Sequence, residues 1–209
     1  ISMSVKPNSA AYIPLGHDYL GAPEQLDKEI VLNQLRPILE NPHVKKVGQN
    51  IKFDMSVFRQ HGINLCGISF DTMLESYVIN SIATRHDMDS LASTYLNLAT
   101  TKFTDVAGKG AKKLTFNQID LDQAAPYASE DADITLKLHE NLWSKIEDEH
   151  ALKSVFNKIE LPLINVLSRI ECRGALIDST LLFEQSAELE TQISMLEQEA
   201  WDQAGEEFL

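Results

Sequence analysis

The sequence predicts an α/β layer fold, because short apolar strand candidates alternate with helical stretches through its first 150 residues. Two further observations bound that expectation. With 44% hydrophobic residues in 209, the chain has the composition of a protein with a real core. From Ala151 onward the pattern turns wholly helical, which sets residues 151–209 apart from residues 1–150.

Ile1–Val5 alternates apolar and polar positions, Lys6-Pro7-Asn8-Ser9 reads as a turn, and Ala10–Leu15 is apolar again, which is a hairpin pattern. Pro14 marks an edge or a strand end. From Pro23 to Glu40 the spacing of Ile30, Leu32, Leu35 and Leu39 predicts a helix, stopped by Asn41-Pro42. Lys45–Gln49 is a short strand candidate, and Ile51–His61 a helix closed by Gly62. Leu65–Phe70 is a second such strand, with Asp71 the N-cap of a helix over Met73–Asn80. His86–Leu98 is expected to be helical, opened by Asp87 or Asp89, and the lysine-rich Thr100–Thr115 a mobile loop. A long helical region runs from Leu121 to about His150. Beyond it lie breaks at Leu161-Pro162 and Arg173-Gly174, then the amphipathic stretch Ser179–Ala204.

The net charge of −13, from 31 acidic and 18 basic residues, argues against a free-standing nucleic-acid binder with a basic face. It leaves room for a nuclease whose carboxylates hold metal ions, since bound cations invert the local electrostatics. Cys66 and Cys172 are far apart without CxxC spacing and read as reduced thiols. No apolar run approaches the roughly 20 residues of a membrane span. The opening Ile1-Ser-Met-Ser-Val5 resembles neither a signal peptide nor a native start. The expectation is a cytoplasmic protein cut from something longer.

Two carboxylate motifs carry chemistry. Gln49-Asn50-Ile51-Lys52-Phe53-Asp54 spans a strand-to-helix junction, and Tyr127-Ala-Ser-Glu-Asp131 lies within a helix. Residues at i and i+4 stand about 40° apart around the axis, so Tyr127 and Asp131 share a face. A phenol one turn from a carboxylate suits phosphodiester hydrolysis, in which a metal activates water and two cations clamp the attacking and leaving oxygens. Spacing alone also fits solvated helix charges.

These motifs resemble the second and third exonuclease motifs of the DEDD proofreading nucleases, the third in its tyrosine form. Phe70-Asp-Thr-Met-Leu-Glu-Ser-Tyr77, Arg85-His-Asp-Met-Asp-Ser-Leu-Ala92, Ala107-Gly-Lys-Gly110, Leu114-Thr-Phe-Asn-Gln118 and Tyr127-Ala-Ser-Glu-Asp-Ala-Asp133 resemble the same region of bacterial family A DNA polymerases. The resemblance implies a ribonuclease H-like 3′–5′ exonuclease fold in residues 1–150. In the tail, Ile159–Ile164, Val166–Glu171 and Gly174–Asp178 resemble the beginning of the polymerase domain, so residues 151–209 would be its first helices.

By the same resemblance, Asp54 and Asp131 would ligate a two-metal site for Mg²⁺, with Mn²⁺ or Zn²⁺ as substitutes, and Tyr127 would orient the attacking water. Gln49, Asn50 and Phe53 would flank the terminal nucleotides of a single-stranded or frayed DNA 3′ end. Phe53 stands where relatives commonly carry tyrosine and offers no hydroxyl. Phe103 would stack on the strand or, alternatively, anchor its loop. Arg85 would meet a phosphate, or cap a helix, or pair with Asp87 or Asp89. Asp71, Asp87 and Asp89 read as N-caps and His86 as a structural histidine.

The family's Asp-x-Glu motif on its first strand has no counterpart here. The expectation is therefore a fold lacking that strand, a weakened metal site with little nuclease activity, and a hairpin that is displaced or exchanged between chains as an oligomer. The alternative to a proofreading module is an exonuclease-like scaffold that supports the polymerase without cutting.

Overall fold

The structure is a computed structural model that describes residues 1–82 and 85–208, without the side chain of Ala111. Strands β1 (Ser2–Lys6) and β2 (Ser9–Tyr12) form an antiparallel hairpin. Asn8 takes the left-handed conformation at its tip, with φ of 63°, which asparagine tolerates better than most residues. The open end is tied by Ile13 N–H to Ile1 O at 2.7 Å and the Ile1 amino group to Ile13 O at 2.9 Å.

Helix α1 (Lys28–Leu39) starts at Asp27, whose carboxylate accepts the Ile30 N–H at 2.9 Å. It buries Val31, Leu32 and Leu39. A βαβ unit follows: β3 (Lys46–Gly48), α2 (Ile51–Gln60) and β4 (Ile68–Asp71), with β3 and β4 parallel. Gly67 is required where the chain enters β4. Its φ is +71° and a Cβ there would lie 2.3 Å from the Val44 carbonyl oxygen. Among the described residues β1–β2 and β3–β4 form separate two-stranded sheets.

Asp71 ends β4 and caps α3 (Thr72–Ile79), as its position predicts. The helix expected over His86–Leu98 is α4 (Met88–Leu91), continued by a π turn over Ala92–Leu96. Asp87 is its cap, accepting the Ser90 N–H at 2.9 Å, whereas Asp89 lies inside the first turn. The segment expected as a loop carries a short helix, α5 (Phe103–Ala107). A small apolar cluster of Ala107, Ile119 and Ala124, flanked by Phe103, Val106 and Phe116, accounts for its order.

Helix α6 (Leu121–Trp143) is the long central element, against which β1, β2, β3 and α3 pack. It stops short of His150. Ser144 turns the chain, its hydroxyl donating to Asn141 O at 2.8 Å, and Ile146 is then fully buried. Helices α7 (His150–Val155) and α8 (Leu161–Arg173) are joined by a π turn over Phe156–Glu160, with Phe156 fully buried.

Two larger apolar clusters hold these elements. One joins Leu32 and Leu39 of α1, Ile51 and Met55 of α2, Ile63, Leu65 and Ile164 of α8. The other packs Leu91 and Ala92 against Ile134, Leu138 and Leu142 of α6. Ile1–Cys172 forms one compact unit and Arg173–Leu209 another. The second is α9 (Ser179–Ala204), capped by Asp178 and closed by left-handed Gly205 at φ 78°. Among the described residues no helix is long and apolar enough to cross a membrane.

Candidate active site

The junction of β3 and α2 is built before its functional side chains are placed. Gly48 packs so closely that a Cβ would stand 2.8 Å from the Cβ of Ile51, and Asn50 turns the chain with φ of 57°. Asn50 has no side-chain capping bond of its own. Asp71 instead takes the N–H groups of Asn50 and Ile51 at the start of the helix. Its buried carboxylate accepts Ile51 N–H at 2.7 Å and Asn50 N–H at 3.3 Å, besides Met73 and Leu74 N–H of its own helix at 2.9 and 3.2 Å.

Next to it, the Thr72 hydroxyl lies 3.3 Å from Gly48 O and donates to the side-chain carbonyl of Gln49. The amide of Gln49 then donates to His86 O at 2.8 Å. Gln49 is thus braced at both ends inside the protein and reaches the segment that holds Arg85. Phe53 is 66% exposed.

Asp54 sits in the first turn of α2. Partial desolvation, and then the charge of Asp71, push its carboxyl up to about 6, against a smaller opposing effect of its own backbone N–H.

The second motif lies along α6. Tyr127 and Asp131 stand one turn apart on this helix, near enough for each side chain to shift the other's ionisation. Burial, Glu130 and Asp89 push Asp131 up to about 6, while the neighbouring Tyr127 hydroxyl pulls it down. Burial, followed by the charges of Asp131 and Asp89, pushes the Tyr127 phenol up to about 12, so it remains a donor at neutral pH.

Phe103, Phe116 and Tyr127 form a triangle, with ring centroids 6.1 Å apart for each pair that includes Tyr127 and 6.4 Å for the third. The Lys113 ammonium stands 4.9 Å from the Phe103 ring. Two carboxylates near Asp131 hold the segment leading to Phe103. Asp89 accepts the Thr100 hydroxyl at 2.6 Å, and Glu130 accepts the Thr101 N–H at 3.0 Å.

Arg85 is exposed and contributes to holding the Asp87 carboxyl down, after the stronger effect of the Ser90 N–H. His86 is structural: its ring contacts Ser76 Oγ at 2.9 Å and Ser81 O at 3.2 Å, and its backbone is left-handed at φ 60°.

The structure therefore joins Tyr127 to Asp131 and Phe103 to Tyr127, and links Gln49 to the Arg85 segment. Asp54 and Asp131 lie on elements that both adjoin β3. Neither is among the charges that shift the other. Among the described residues no three His, Cys, Asp or Glu side chains form a metal-holding group. What each position offers is a hard oxygen donor crowded by like charge. That fits Mg²⁺, which binds through one or two carboxylates and keeps waters and substrate phosphate as its other ligands. Sequence reasoning missed the reach of Asp71 across to α2 and the ties from Asp89 and Glu130. Each joins residues at least 11 positions apart and has no local signature.

An α/β body that carries these two motifs in this order has the makings of a phosphodiester nuclease, and the chain belongs to the 3′–5′ exonuclease family, whose model matches residues 1–147. That membership implies the ribonuclease H-like fold.

Over 210 aligned residues the chain is 54% identical to the DNA polymerase I of Pseudomonas aeruginosa, covering 100% of this chain and 23% of that protein. It is 39% identical to the DNA polymerase I of Rhizobium leguminosarum, over 95% of this chain and 20% of that protein. The chain thus spans a quarter or less of these relatives. A solved structure, the POL domain of Pol1 from M. smegmatis in complex with DNA primer-template and dNTP, shares the fold. It matches with a TM-score of 0.61 at 21% identity, over 88% of this chain and 28% of that one.

Proposed function

We propose that residues 1–150 are the proofreading module of a DNA polymerase I, releasing deoxynucleoside 5′-monophosphates from a single-stranded or frayed DNA 3′ end. Residues 151–209 are then the first helices of the polymerase domain. The observation that carries this is the Tyr127–Asp131 pair, one turn apart on α6 and electrostatically coupled, in a chain of the 3′–5′ exonuclease family. The similarity of the whole chain to two bacterial DNA polymerases I supports the wider setting, which is cytoplasmic and nucleoid-associated.

In this reading Asp54 and Asp131 hold divalent cations. Mg²⁺ is the natural occupant, with Mn²⁺ or Zn²⁺ as substitutes. A carboxyl lifted to about 6 by burial and like charge gains more from a cation than a solvated one does. The bound metal supplies a water of lowered pKa and charge stabilisation at the phosphate.

The chain's own residues do the rest. Tyr127 keeps its proton and orients the water through its hydroxyl. Phe103, set against Tyr127 and Phe116, offers a ring for the last base. Gln49, Asn50 and Phe53 flank the terminal nucleotides, and Arg85 meets a phosphate.

The test is excision from a 3′-labelled single strand by the longest natural protein that carries this sequence, in Mg²⁺ or Mn²⁺. Mononucleotide release that disappears in Asp131→Ala is expected. No release from the unaltered protein with either metal would overturn the proposal in favour of a non-cutting scaffold.

A further inference from the structure

We infer that Asp71 and Thr72 are positioning residues for the α2 half of the site, acting as a shared cap for two helices; this rests on the proposed exonuclease reading. Asp71 is 1% exposed and Thr72 is fully buried, so neither is placed to touch DNA. Their polar atoms are divided between the start of α3 and the β3–α2 junction.

The Oδ1 of Asp71 accepts from Met73 and Leu74, which is an ordinary N-cap, and also from Asn50. Oδ2 accepts from Ile51 at 2.7 Å, 20 residues away in sequence. One carboxylate therefore fixes where α2 begins, and with it the direction in which Asp54 projects one turn later. Thr72 completes the arrangement. Its single hydroxyl proton goes to the Gln49 carbonyl, which sets the rotamer of Gln49 and leaves its amide to donate to His86 O at 2.8 Å.

The division of labour is specific. Oδ2 of Asp71 places the cation-facing carboxylate, and Thr72 places the residue that flanks the nucleotide. Asparagine is a good N-cap, so Asp71→Asn retains the bonds from Met73 and Leu74 through its remaining oxygen. Its NH₂ then faces the Ile51 N–H, donor against donor, so the short bond to Ile51 is lost while the retained oxygen still accepts from Asn50. Thr72→Val removes the hydroxyl while keeping the shape, and Thr72→Ser restores it.

The experiment measures excision of a 3′-labelled strand in Mn²⁺ by the same full-length protein, with kcat and KM separated and the melting temperature of each variant recorded. Asp71→Asn should lower kcat by about 10- to 100-fold, as misplacement of a reacting group does, with KM little changed. Thr72→Val should act mainly on KM, and Thr72→Ser should return it to the starting value.

Either of two results would overturn the inference: wild-type kcat and KM in both variants, or losses that track melting temperature and are not recovered by Thr72→Ser. Should Asp71→Asn fail to fold, the Thr72 pair decides by itself. An unaltered protein that cannot excise sinks the proposed function and this inference together, and that result is read from the wild type alone.

Discussion

The hydroxyl of Tyr127 stands one helical turn before the carboxylate of Asp131 on α6, and its influence draws the carboxyl of Asp131 down against the burial that raises it. Removing the hydroxyl leaves the ring packed against Phe103 and Phe116. Tyr127→Phe should therefore fold as the parent does. Excision should fall by about 10²-fold, a typical loss for a proton-handling or water-orienting group. The Asp131 carboxyl should titrate higher than before. Single-turnover excision and carboxyl-resolved NMR titration check the two effects separately.

Asp54 and Asp131 each have a native carboxyl lifted from 3.8 to about 6. A raised acid binds its proton more tightly in the folded chain than in the unfolded one. Its effect on stability is therefore favourable at low pH and is lost as pH rises from about 4 through about 6. Metal-free Asp54→Asn and Asp131→Asn should melt above wild type at pH 7.5 and match it near pH 3. Added Mn²⁺ should raise the wild-type melting temperature more than that of either variant. Differential scanning calorimetry across pH, with and without metal, reads both.

Glu75 is fully buried in α3, with one oxygen on His139 Nδ1 at 2.8 Å and the other without a partner among the described residues. Burial lifts its carboxyl from 4.5 to about 7, against the opposing influence of His139. The same sign holds, over a higher window: wild type loses stability relative to Glu75→Gln as pH climbs from about 4.5 through about 7. Equal melting temperatures at pH 5 and pH 8 for the two proteins would contradict this.

Phe103 belongs to the aromatic triangle and also receives Lys113. Phe103→Ala should weaken binding of a single strand by about 1–3 kcal/mol, the usual worth of base stacking on an aromatic. Fluorescence anisotropy with a labelled oligonucleotide measures it. Phe103→Tyr, which keeps the ring, should bind as wild type does.

Much of this architecture was legible residue by residue. Asp71 and Asp87 announced helix starts because a capping carboxylate works on N–H groups two or three positions ahead. Ser179–Ala204 was readable as a helix because its amphipathic spacing is local. Helix α5 was not, since the order of its lysine- and glycine-rich surroundings comes from Ile119 and Ala124, more than a dozen residues on. The length of α6 was overestimated because the chain turns to bury Ile146, a tertiary event that periodicity does not record. In the site, the i,i+4 pairing of Tyr127 with Asp131 follows from helix geometry alone. The bracing of Gln49 by Thr72 and His86 needed the strands to be in place.

The tip of the hairpin is fastened to α6 by the Asn8 N–H donating to Asp133 Oδ1 at 2.6 Å, while Lys137 pairs with the other oxygen of Asp133 at 2.6 Å. The donor is main chain, so nearly any residue that tolerates a left-handed bend can occupy position 8 without breaking the tether; proline cannot. Mutational drift at the tip is therefore cheap, and the constraint falls on Asp133, two places from Asp131, where a single base change can unfasten the tip.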